Sequence, residues 1–70
     1  MKTIEMAKRE INTYLEIARN NNKEMAYTCK MQAWAIWEFT NTLTGNEDYE
    51  NFEKWWLEKE KEFNKIYNEK

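Results

Sequence analysis

Along the first third of the chain, apolar residues recur at Ile4, Ala7, Ile11, Tyr14 and Ala18, with Leu15 widening the stripe. Steps of three and four residues place them along one side of a helix. The last third behaves alike, with Tyr49, Phe52, Trp56, Phe63 and Tyr67 on one face and Trp55 and Ile66 flanking it. Between these segments the pattern doubles. Met25, Cys29, Gln32, Ile36, Phe39 and Leu43 step as a core seam does, while Tyr27, Met31 and Trp34 lie nearly opposite, among Lys30, Glu38 and Asn41. One core needs one stripe per helix. The second stripe therefore has two readings, burial beneath neighbouring elements or contact with another molecule.

Breakers are sparse: there is no proline, and Gly45 is the only glycine. Long helices are the natural consequence. Thr3 is placed to cap a first helix that ends near Asn20. The run Asn20-Asn21-Asn22 favours a turn, and Asn21 with Glu24 three residues on matches a capping box for a second helix. Thr44-Gly45-Asn46 supplies a glycine for a left-handed helix end, after which Asn46 or Asp48 caps a third helix with acids in its first turn. The expected fold is all-α: a single helical domain over residues 1–70, with helices at about 4–20, 23–43 and 47–68 in an up-down-up three-helix bundle. A helical hairpin completed by dimerisation, with the third helix exchanged between protomers, is the alternative. In the third helix the stripe is interrupted between Trp56 and Phe63 by Lys59 and Glu60, where long side-chain stems must cover the core.

Composition sharpens this picture. A 70-residue domain buries only about 60% of its unfolded surface, so each large side chain matters. Eleven aromatics exclude a disordered tail. One cysteine and no histidine leave neither a disulfide nor a usual zinc ligand set to staple the fold, so helix packing or oligomerisation must stabilise it. The net charge of −2 is uneven, at +1 over residues 1–22, zero over 23–45 and −3 over 46–70. No segment has the clustered basic character of a nucleic-acid footprint. The longest strongly apolar run, Ala33 to Trp37, is too short for a membrane span or a signal peptide, and a cytoplasmic location is expected. Nine asparagines and a Lys/Asn/Glu/Ile bias suggest an AT-rich bacterial or phage coding sequence rather than a designed chain.

The residues of catalysis are missing: there is no histidine base, phosphate loop or nucleophile elbow. Cys29 lies on the core seam with no base to activate it, and reads as packing. Glu47, Asp48, Glu50 and Glu53 lack calcium-loop spacing and read as helix-start charges. Mimicry of nucleic-acid charge by the third helix is weakened by the interspersed Lys54, Lys59, Lys61 and Lys65. Trp55 and Trp56 are adjacent and cannot share a seam; Trp56 aligns with the core, and Trp55 with an edge.

Neither a metal, a cofactor nor a small-molecule substrate is expected. The candidate partner-binding residues are Tyr27, Met31, Trp34, Glu38 and Trp55. They point to a non-enzymatic protein-binding module, of the kind a phage or mobile element uses to inhibit or redirect a host protein by occupying a groove. A self-associating homodimeric subunit is the alternative. A nucleic-acid regulator acting through Lys8, Arg9, Arg19 and Lys23 comes third.

Overall fold

The computed structural model describes residues 2–70, which form three α-helices: α1 (Lys2–Arg19), α2 (Lys23–Leu43) and α3 (Tyr49–Glu69). They make an up-down-up bundle 35 Å long and 16 × 14 Å across. Parallel alignment of α1 and α3 shows at both ends. Ile4 and Ala7 of α1 cluster with Phe52 in the first turn of α3, and Arg19 meets Glu62 at 3.3 Å near the far end. No helix among the described residues is long and apolar enough to cross a membrane.

Local chemistry sets the helix ends. The Asn20 and Asn21 side-chain amides donate to the carbonyls of Glu16 and Ile17, at 2.9 and 2.7 Å, satisfying acceptors that the last turn of α1 leaves open. Asn22, one residue after the position the capping-box pattern indicates, caps α2 by accepting from the Met25 N–H at 2.9 Å. At the far end of α2, Gly45 adopts φ 65°, Asn46 N–H donates to Asn41 carbonyl at 2.8 Å and Gly45 N–H to Thr42 carbonyl at 3.3 Å, a Schellman ending. Two expected caps are corrected. Thr3 lies inside α1, which already begins at Lys2. Asp48 occupies the N-cap position of α3 but in a left-handed conformation with no capping bond; its carboxylate accepts instead from the Asn51 amide at 2.8 Å, and Asn46 too has a positive φ.

The core is built from unequal contributions. From α1 come Ile4, Ala7, Ile11, Leu15 and Ala18; from α3 come Phe52, Trp56 and Phe63, all three wholly buried or nearly so. The share of α2 is small side chains: Ala26, Cys29 and Ala33, followed by Thr40 and Asn41. Half-buried Ile36, Trp37 and Trp55 join the two parts of the core. Trp37 stacks on Trp56 with ring centres 5.7 Å apart and planes 14° apart, and Phe63 closes on Trp56 at 6.4 Å. Where the α3 stripe is interrupted, Lys59 is largely covered, its ammonium 3.4 Å from Glu62 and 5.5 Å from the Trp55 ring, so its stem shields the core as the sequence requires.

The seam expected on α2 is wrong for most of its length. Cys29 is buried and Ile36 half-buried, but Met25, Gln32, Phe39 and Leu43 all face solvent. The true seam replaces Met25, Gln32 and Phe39 by their neighbours Ala26, Ala33 and Thr40, a rotation of about 100°. Volume is the reason. Trp56 and Phe63 from α3, with Ile11 and Leu15 from α1, already fill the interior where α2 approaches, and only small residues there let the helices close to the usual 8–10 Å.

Candidate functional site

Turning the small residues of α2 inward turns large ones outward. Phe39 and Leu43 are 66% and 64% exposed, and Met25, Tyr27, Met31 and Trp34 lie between 40% and 51%. Tyr27, Met31, Ala35, Phe39 and Leu43 follow at four-residue intervals and form one ridge along the exposed side. Beside it runs the row Thr28, Gln32, Ile36 and Thr40. Two open hollows lie along these rows. One, of about 580 Å³, sits between α1 and α2 against Met6, Ala7, Ile36, Phe39 and Leu43. The other, of about 400 Å³, is lined by Tyr27, Thr28 and Met31, and both share Gln32 and Ala35. The result is one apolar surface running most of the length of α2 and reaching Met6 of α1.

Charge on this surface is sparse, with Glu10 of α1 bordering the larger hollow. From Met31 to Leu43 the only ionised side chain is Glu38, whereas α3 is charged at every turn. Depletion of charge with enrichment in aromatics and methionine is the composition of an interface centre. Polar contacts are few: the Tyr14 hydroxyl donates to Gln32 Oε1 at 3.4 Å, tying the edge of the face to α1.

Of the residues singled out from sequence, the structure brings Tyr27, Met31, Trp34 and Glu38 together on the exposed side of α2. Tyr27 also leans towards the end of α3, its ring 6.0 Å from that of Tyr67, on which the Lys23 ammonium sits at 4.6 Å. Trp55 does not join them. It is half-buried between α1 and α3, 6.1 Å from Phe52, with the Lys8 ammonium 5.4 Å from its ring. Phe39, Leu43 and Met25 belong to the exposed surface and were missed, because their spacing imitates a core seam. The signal that could have found them is the run of small residues Ala26, Cys29 and Ala33, itself at core spacing.

The remaining candidates have local partners. Arg19 pairs with Glu16 at 3.1 Å and Glu62 at 3.3 Å, Lys8 lies over the Trp55 ring and Lys23 over the Tyr67 ring. Among the described residues no three acids, cysteines or histidines gather as a metal site would require. Glu53 accepts the Tyr49 hydroxyl at 2.6 Å; that hydrogen bond, then partial burial, then the charges of Glu53 and Glu38, hold the phenol above its ordinary pKa. Cys29 is buried, and loss of solvation raises its thiol pKa, which opposes thiolate formation. Comparison with protein-family models, with curated proteins and with solved structures finds no match to this chain.

Proposed function

We propose that this protein is a non-enzymatic binding module that acts by burying the outward face of α2 against another protein chain. The observation that carries this reading is the exposure of Phe39 and Leu43 beside the groove they line, on the helix whose buried residues are its small ones. Exposed apolar side chains of this size, contiguous and almost uncharged, are retained on a small protein where they are covered in use. The mechanism is steric. A rigid helical face with aromatic anchors occupies its partner's surface, and the charged outer side of α3 keeps the complex soluble.

A photoreactive phenylalanine at position 39, compared in the expressing cell with the same group at Asn64 on the exposed side of α3, tests the reading. Covalent adducts with protein are expected from position 39 and not from position 64. The double change Tyr27→Ala with Trp34→Ala is expected to remove the adduct while leaving helicity and melting temperature in place. Equal labelling from both positions, or none from position 39, contradicts the proposal.

A further inference from the structure

The α2 ridge is symmetric about its own midpoint. Tyr27 and Leu43 lie eight residues either side of Ala35, and Met31 and Phe39 four residues either side. The four outer residues are large and the central one is small. Two helices that cross need a small residue at the point of closest approach and bulk on both sides of it. We infer that the partner of this face is a second copy of the chain, packed through an antiparallel α2–α2 crossing with its two-fold axis at Ala35. This inference rests on the protein-binding reading above and names its partner.

The fit is self-complementary. A two-fold axis at Ala35 sets Tyr27 against Leu43 of the second copy and Met31 against its Phe39. The two hollows open to either side of Ala35. Packed helices that meet at a small residue approach to axes about 8–10 Å apart. An isologous contact uses the same patch on both copies, with residue i meeting j and j meeting i, and the pairing about Ala35 has that form.

The register also gives Glu38 a polar partner, and the exposed area comes close to that of a standard interface. The same register sets Glu38 against Gln32 of the second copy. The Gln32 oxygen accepts from Tyr14, and its amide N–H groups suit a carboxylate acceptor. Met6, Tyr27, Met31, Trp34, Phe39 and Leu43 each expose between 40% and 66% of their surface. At roughly 150–250 Å² per large side chain they offer on the order of 450–750 Å², before the groove floor is added. A standard stable interface needs about 800 Å² per partner.

Two measurements on the full-length chain test the arrangement. In sedimentation equilibrium up to about 200 µM, the wild-type chain is expected to move from 8.7 kDa towards twice that mass, and Ala35→Glu to weaken self-association at least about tenfold. Ala35 is solvent-exposed, so circular dichroism of that variant should match wild type. In a Cys29→Ala background, Ala35→Cys is expected to form a reducible disulfide-linked dimer under mild oxidation much faster than Asn64→Cys. Helix axes about 8–10 Å apart bring the two Cα atoms at the crossing to about 4–5 Å, within reach of a disulfide. A wild-type chain that stays monomeric, or a dimer that neither Ala35→Glu weakens nor Ala35→Cys traps, overturns the inference. A monomer that still gives position-39 adducts with a different protein overturns the dimer alone. A monomer without adducts overturns the binding reading as well.

Discussion

The inward face of α3 and the outward face of α2 carry similar side chains and have opposite fates. Phe52, Trp56 and Phe63 are sealed in the interior, while Tyr27, Trp34, Phe39 and Leu43 stand in solvent on a helix whose buried residues are Ala26, Cys29, Ala33, Thr40 and Asn41, with Ile36 and Trp37 half-buried beside them. Apolar character alone does not say which side of a helix is inside. The two helices divide the labour: α3 supplies the fully buried rings, and the small residues of α2 leave room for them, with Trp37 of α2 stacking on Trp56. What α2 keeps outside is then surplus to the fold, and on a chain of this size a surplus of large side chains is most simply explained by a second use.

The contrast breaks first at Trp56. Its indole belongs to the same buried cluster as Cys29 and Ala33 and stacks on Trp37, so Trp56→Ala should cost about 3–5 kcal/mol, read from urea unfolding, a large share of the stability of a domain this small. A cost below about 1 kcal/mol would show that α3 does not fill the core as described. A subtler break tests the room instead of the rings. Ala33 is wholly buried against that cluster, and Ala33→Leu should destabilise by about 1–3 kcal/mol through overpacking, although leucine is the more hydrophobic and a strong helix former. A gain in melting temperature would mean that α2 has space for a large residue on its inner side.

Much of this architecture is legible in the chain, because helix ends are decided by residues next to them in sequence. The three asparagines and Thr44-Gly45-Asn46 mark the connections, since amide side chains and a left-handed glycine satisfy helix-end groups within a turn. The buried faces of α1 and α3 are legible as well, each having one dominant apolar stripe. The rotation of α2 about its axis is not. With apolar residues on most of its circumference, its inner side is chosen by the volume that α3 brings, a non-local matter that spacing along α2 does not encode. Hence the spacing leaves Tyr27, Met31 and Trp34 open to burial or contact, and the fold exposes them, whereas Phe39 and Leu43 pass for core in the sequence and are exposed as well. Trp55 is the converse case: as an edge tryptophan it resembles an interface anchor, yet in the fold it lies under Lys8 and Lys59 between α1 and α3.

The most direct test of the division between the two faces is the cost of truncating Phe39, measured by urea unfolding at low protein concentration and repeated at high concentration. In dilute solution Phe39→Ala should change stability by less than about 0.5 kcal/mol, as expected for an exposed side chain. Its deficit against wild type should grow as the concentration rises and association stabilises only the wild-type chain. A loss of about 3–5 kcal/mol at the lowest concentration would contradict the account, because it would make Phe39 a core residue and leave α2 with no surplus face.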